Sequence, residues 1–254
     1  MQYKIMLDAG HYGKRNQSPA VPEYYESIQM WRLHLLLKRE LEGYGFTVDT
    51  TRDVQEKDLA VVKRGERSLG YDLFLSLHSN AVGSGGEAVD RVDVYAPIDN
   101  RNNADELGLT LVKAVAECMG VTVGKCKTRK GKNGEYYGVL RGASNVGCPL
   151  YYIIEHSFHT NERAAKWLLD EENLARLARV EAAVIAIYFG IKREYPLGDV
   201  DMNGVLDVYD IALIKRAYFG TVKLTDEQKR LADINTDGVI DVFDYLEATK
   251  RYMN

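Results

Sequence analysis

The chain has 254 residues, 46% of them hydrophobic and 28% charged, with a formal net charge of −4. That length holds one substantial core and a small second unit. From Asp199 onward there are seven Lys/Arg and eleven Asp/Glu, so the tail carries the whole acidic excess and the remainder is neutral. No basic patch argues for nucleic acid, and no apolar run approaches the length of a membrane span. Cys118, Cys126 and Cys148 are odd in number, lack metal-type spacing, and read as free thiols. The opening MQYKIMLDAG shows no charged leader followed by an apolar stretch, so no signal peptide is expected within this sequence.

In chain order, YKIMLD at Tyr3–Asp8 is an apolar run ending in Ala-Gly, which predicts a buried strand and then a loop. A helix is expected over Tyr25–Glu42, apolar on most sides through Ile28, Trp31, Leu35 and Leu36. Strands are expected at Gly45–Thr51, at Asp72–Leu77 (DLFLSL, with HSN directly after it) and at Arg91–Pro97. A helix at Glu106–Met119, a strand at Tyr151–Ile154 and a helix from Glu162 to Phe189 complete the body. Strands alternating with helices predict an α/β fold with a mainly parallel sheet flanked by helices on both faces. Ligands of such sheets collect beyond the carboxyl ends of the strands, where this reading puts His11, His78 and Glu155.

A short hinge, REYPLG at Arg193–Gly198, separates the body from a tail with an internal period of 34: GDVDMNGVLDVYD begins at Gly198 and ADINTDGVIDVFD at Ala232. The expected organisation is therefore a catalytic domain at 1–192, a linker at 193–198 and an all-α module at 199–254. Each repeat has oxygen donors at alternating positions, glycine at position 6 and a carboxylate at position 12, which is the pattern of a Ca2+ loop. The first set is Asp199, Asp201, Asn203, Val205 through its carbonyl, Asp207 and Asp210. The second is Asp233, Asn235, Asp237, Val239 through its carbonyl, Asp241 and Asp244. Position 12 is Asp rather than the Glu of calcium-sensor hands, and no entering helix precedes the first loop. This paired, loop-then-helix arrangement resembles a dockerin. The resemblance implies two structural Ca2+ ions and a cohesin of a scaffoldin as partner. It puts the partner-facing positions on Val208, Tyr209, Lys215 and Arg216, and on Val242, Phe243, Lys250 and Arg251.

A hydrolytic zinc site needs three protein ligands and one open position. His11 in LDAGHYG, Glu26 in YYESIQMW, His78 in SLHSNA and Glu155 in IIEHSF are the donors available in the body. Each has a plain structural alternative, and Glu23 rivals Glu26. The order LDAGH, YYES, TTR at Thr50–Arg52, SLHSNA and IIEHSFHTN resembles the zinc-dependent N-acetylmuramoyl-L-alanine amidase family, particularly its phage and clostridial members. That resemblance covers roughly residues 3–190 and implies one catalytic Zn2+ on His11, Glu26 and His78, with Glu155 as general base. It also implies peptidoglycan as substrate, cleaved between N-acetylmuramic acid and L-alanine, and an extracellular or cell-wall location. Tyr12 where a second glycine is common, and His156 directly after Glu155, depart from the family pattern without removing a ligand. His156 and His159 are placed to orient Glu155 or contact substrate, or are structural. His34 reads as a packed or surface residue of the long helix, and Arg141 as a candidate for the cleft wall. Alternative functions are a peptidoglycan-binding module without catalysis and a polysaccharide deacetylase.

Overall fold

The computed structural model of the chain describes residues 2–132 and 134–253. Packing divides it into two compact units, Met1–Lys192 and Arg193–Asn254. No helix among the described residues is long and apolar enough to cross a membrane.

The first unit is built on a six-stranded sheet in the order β2-β1-β3-β8-β4-β5. Its strands are β1 (Lys4–Ala9), β2 (Thr47–Thr50), β3 (Leu73–Asn80), β4 (Arg91–Tyr95), β5 (Thr122–Lys127) and β8 (Leu150–Phe158). All neighbours are parallel except β4 and β8, so the sheet is mixed and mostly parallel. A two-stranded hairpin, β6 (Lys130–Gly131) and β7 (Gly134–Glu135), stands apart from it.

Alternation along the strands sorts side chains onto two faces. Ile5, Leu7, Leu73, Leu75, Leu77, Val92, Val94, Tyr152 and Ile154 form the larger core with α1 (Glu26–Gly43), α3 (Ala104–Met119), α5 (Glu162–Leu169) and α6 (Glu171–Tyr188). Met6, Phe74, Tyr151 and Ile153 point the other way, against α4 (Gly138–Asn145), which packs on α2 (Val61–Glu66). Those two short helices touch through their backbones. A β-carbon on Gly65 would lie 1.9 Å from the Val139 carbonyl oxygen, and one on Gly142 2.1 Å from that of Val62. Only glycine permits that crossing.

Three differences from the sequence reading have local causes. The stretch 162–189 is two helices, because the Asp170 backbone is extended and its side chain accepts from Asn173 N–H as the cap of α6. His78 and Glu155 lie inside β3 and β8 rather than beyond them, since both strands run on past their apolar segments. The elements α2, α4, β5 and the hairpin were not foreseen; α2 and α4 are short and contain glycine, which weakens the helical pattern. Cys148 is buried, Cys118 lies in α3 and Cys126 in β5; all three are free.

The second unit has α7 (Val208–Tyr218), α8 (Asp226–Ala232) and α9 (Val242–Met253) around a small core of Val200, Ile214, Leu224, Ala232, Ile234 and Ala248. The first residues of this unit are tied into it: Gly198 N–H donates to the Leu231 carbonyl (2.8 Å) and Asp199 N–H to that of Pro196 (3.0 Å).

Candidate active site and acidic loops

At the carboxyl ends of β1 and β3, three side chains from separate segments converge. One ligand atom from each of His11, Glu26 and His78 lies within 4.8 Å of the others. Glu26 opens α1, where the helix dipole favours a carboxylate. Its Oε1 is 2.8 Å from His78 Nδ1 and its Oε2 is 3.3 Å from His11 Nε2. Glu23 is exposed, whereas Glu26 is buried between the imidazoles. Burial alone would raise the Glu26 carboxyl pKa. Hydrogen bonds from His11 and His78 override it and hold the carboxyl well below the usual range. His78 is pulled down by its own burial, but the bond to Glu26 more than offsets this and its pKa is raised.

The backbone is shaped for this meeting. A β-carbon on Gly10 would sit 2.6 Å from the His78 ring and 2.7 Å from the Leu77 carbonyl oxygen, so β1 can end against β3 only with glycine there. His11 itself has φ +59°, a left-handed conformation costly for a residue with a side chain. Asn16, which no sequence signal singled out, donates from Nδ2 to Glu26 Oε2 (2.7 Å) and lies 2.9 Å from His11 Nε2. Ser79 N–H donates to Glu26 Oε1 at 3.2 Å.

Glu155 stands beside His78 on the adjacent strand. Its Oε2 is buried with no hydrogen-bond partner among the described residues, and burial pushes its pKa up to about 7. Glu155, His11 and His78 share a cavity of about 280 Å3 with Val61, Arg64, Tyr137, Val139 and Ile153. The Arg64 guanidinium is buried behind it, 3.6 Å from Asp8. A second, smaller pocket brings Asn16, Ser79, Asn80 and His159 to the same cluster.

The other histidines are buried. His156 spans Glu181 on α6 (Nε2 to Oε1, 2.5 Å) and the His78 carbonyl (Nδ1, 2.9 Å), so it ties a helix to the strand end beside Glu155. His159 Nδ1 meets Ser79 (2.9 Å to its carbonyl), and the ring stacks on Tyr24 at 5.8 Å. His34 packs on Trp31 and donates to its carbonyl. Arg141 does not line the cleft; its NH1 donates to the carbonyls of Glu135 (2.9 Å) and Tyr136 (3.3 Å).

In the second unit the two loops share one wiring scheme. Asp199 accepts from Asn203 N–H (3.0 Å) and Gly204 N–H (2.8 Å), as Asp233 does from Asp237 N–H (3.0 Å) and Gly238 N–H (2.8 Å). Asp210 accepts from Asp207 N–H and Asp244 from Asp241 N–H. Met202 and Thr236 at position 4, and Gly204 and Gly238 at position 6, all have positive φ. Carboxylate oxygens of Asp199, Asp201 and Asp210 lie within 4.8 Å of one another. Burial raises the pKa of Asp199 and Asp210, and neighbouring carboxylates add to it. Asn203, Asp207 and the Val205 backbone border this cluster; Asn235, Asp237, Val239 and Asp241 occupy the matching places in the second loop, with Asn at position 3 supplying a neutral oxygen. At the start of α7 and α9, Val208, Tyr209, Val242 and Phe243 are exposed, Tyr209 by 70% and Phe243 by 64%. Lys215, Arg216, Lys250 and Arg251 are also exposed further along these helices.

Fold and site together define an α/β protein with a candidate metal centre at its strand ends, joined to a module with paired acidic loops. The chain belongs to the N-acetylmuramoyl-L-alanine amidase family, whose model matches residues 5–187, and residues 197–254 match the dockerin type I domain. Among solved structures it is similar in fold to Cwp6 from Clostridium difficile (TM-score 0.64, 23% identity), covering 74% of this chain but only 29% of that one. The catalytic domain of CwlV from Bacillus (Paenibacillus) polymyxa var. colistinus is similar to the same degree (TM-score 0.64, 22% identity, 75% of this chain and 100% of that one). So is the N-acetylmuramoyl-L-alanine amidase from Clostridium difficile 630 (TM-score 0.64, 18% identity, 74% and 97%). No curated protein sequence matches the chain.

Proposed function

We propose that residues 1–192 are a zinc-dependent hydrolase that cuts the amide between N-acetylmuramic acid and L-alanine in peptidoglycan. In this reading residues 193–198 link it to a calcium-loaded dockerin at 199–254, which binds a cohesin on a scaffold outside the cell or at its wall. The observation that carries the catalytic part is the convergence of His11, Glu26 and His78 next to a cavity lined by Glu155, whose Oε2 has no hydrogen-bond partner among the described residues. Two imidazoles and one carboxylate are a donor set suited to Zn2+. The buried Glu26 carboxylate, held ionised, supplies the charge such an ion requires.

The chemistry a bound Zn2+ supplies is Lewis acidity toward a carbonyl oxygen and a lowered pKa for water. Glu155 takes the proton from the attacking water and delivers it to the departing alanine nitrogen, which leaves as an amine. Its raised pKa suits a group that must both accept and donate near neutrality. Gly10 and Asn16 fix the ligand side chains, and Val61, Val139 and Ile153 give the substrate a wall that excludes water.

In the tail, the carboxylates of Asp199, Asp201 and Asp210, with Asn203, Asp207 and the Val205 carbonyl, would hold one Ca2+. Asp233, Asn235, Asp237, Val239, Asp241 and Asp244 would hold the second. The exposed Val208, Tyr209, Val242 and Phe243, with Lys215, Arg216, Lys250 and Arg251, form the surface offered to a cohesin.

Mass spectrometry of purified peptidoglycan digested by the full chain tests the catalytic reading. Free peptides beginning with L-alanine are expected, and they should disappear with Glu155→Gln. Release of acetate instead would establish a deacetylase, and binding to the wall with no product would leave a binding module.

A further inference from the structure

Neutral overall, the body concentrates five cations in residues 125–132, KCKTRKGK. The fold carries this segment along β5 and into the hairpin. Lys127 is already engaged: its Nζ is 2.9 Å from Asp93 Oδ2, and Arg91 approaches the same carboxylate at 3.2 Å. Arg129 is placed differently. Its guanidinium carbon lies 3.6 Å above the Tyr136 ring, and its NH1 donates to the Tyr137 hydroxyl at 3.4 Å. Among the described residues it meets no carboxylate within ion-pair distance.

The seat beneath it is rigid. Tyr136 N–H donates to the Arg129 carbonyl (3.0 Å) and closes the hairpin. Glu135 is buried and accepts from Ile98 N–H (2.9 Å) and from the Tyr151 hydroxyl (3.0 Å), which anchors the hairpin to the body. Tyr137 then packs on Tyr95 at 4.5 Å and lines the cavity that holds Glu155. An arginine stacked on an aromatic ring loses little freedom when it binds, and its fork matches a carboxylate.

We propose that Arg129, seated on Tyr136 and Tyr137, is a binding site for a carboxylate of the stem peptide, on the leaving-group side of the scissile amide. This rests on the amidase reading. The stem beyond L-alanine carries carboxylates, whereas the N-acetylated sugar chain is neutral. The guanidinium covers one face of Tyr136.

The test is calorimetric titration of the full chain with three probes: the soluble stem tripeptide with free carboxylates, the same peptide with its carboxylates amidated, and a disaccharide of N-acetylglucosamine, which has no lactyl carboxyl and is neutral. The wild type is expected to bind the free acid about tenfold more tightly than the amide. Arg129→Ala removes that preference and leaves the amide unchanged, and Arg129→Lys retains part of it. With cleavable muropeptides, Arg129→Ala raises KM by about the same factor and leaves kcat in place. Equal binding of acid and amide by the wild type, an equal loss of both in the variant, or a loss of disaccharide binding would each overturn the site. Should the wild type cut no lactyl–alanine bond yet keep an Arg129-dependent preference for the acid, the amidase reading falls and the site stands. Cleavage in which Arg129→Ala treats both peptides as the wild type does has the opposite meaning.

Discussion

The body and the tail each gather side chains into a cluster proposed as a cation site, but they do so over different reaches of chain. In the tail, all the donors of one loop come from twelve consecutive residues, and each carboxylate is held by backbone N–H groups of its own loop. In the body, His11, Glu26 and His78 come from a strand exit, a helix start and a neighbouring strand, and Glu155 from a fourth segment. The core of the body is large and independent of those side chains, whereas the tail has only a handful of buried apolar residues. A cation is therefore expected to matter to the folding of the tail and to the chemistry of the body.

The widest separation between the two is expected from Glu155→Gln. It should lower muropeptide release by about 10^2- to 10^4-fold, with metal content and the unfolding midpoint of the body unchanged. Loss of bound zinc in this variant would show that Glu155 is a ligand and would break the division between base and ligands.

Chelation of calcium comes next. Removing it should melt much of α7–α9, lost as far-UV helicity, because each loop then gathers its carboxylates without a counter-charge. Both tryptophans, Trp31 and Trp167, belong to the body, so their fluorescence should not change. A fluorescence shift would mean that the body depends on the tail's cations.

Gly10→Ala probes the body's dependence on close approach. The added methyl meets the His78 ring and the Leu77 carbonyl, so zinc affinity, measured by competition with a chelator, should fall by about 10- to 100-fold. The fold should lose about 1–3 kcal/mol. Unchanged affinity would show that His78 moves freely and is not positioned by β1.

Acid stability comes last, with an effect spread over a pH window rather than felt at neutral pH. Burial pushes His34 down from 6.5 to about 4, so the folded state favours its neutral form. Between those values the unfolded chain binds more protons, and the sign follows: stability is complete above about pH 6.5 and falls as pH drops towards 4. The contribution at stake is about 3 kcal/mol. Urea unfolding followed by tryptophan fluorescence should show a slope over this window that His34→Asn flattens. An identical slope in that variant would assign the acid sensitivity to other groups.

Much of the body's framework was legible because apolar runs such as KIMLDA and LFLSL are long enough to declare buried strands. The helix at Glu26–Gly43 was legible as a long apolar stretch. The face it buries, through Met30, Leu33, Leu37 and Leu41, is not the set Ile28, Trp31, Leu35 and Leu36 that the stretch offered first, and Leu35 is exposed. Glu26 was preferred to Glu23 because it directly opens the apolar helix, and packing adds the reason: Glu26 is buried between the imidazoles while Glu23 is exposed. Asn16 and Arg64 gave no signal, because an asparagine in a loop and an arginine in a six-residue helix look like surface residues until a neighbouring segment closes over them. The role of His156 stayed open for the same reason: its partner, Glu181, is 25 residues away on a different element.

What the sequence determined by itself is what short-range geometry carries: the two twelve-residue loops, the glycines that bend them, and strands marked by runs of apolar side chains. Tertiary structure alone decided which imidazoles and carboxylates face one another, how β1 ends against β3, and that Arg129 rests on two tyrosines beside the cleft. The physical reason is distance along the chain. A loop closes on itself through the backbone conformations of neighbouring residues, while the body's site exists only after sheet register and helix packing have brought remote segments within a few ångströms.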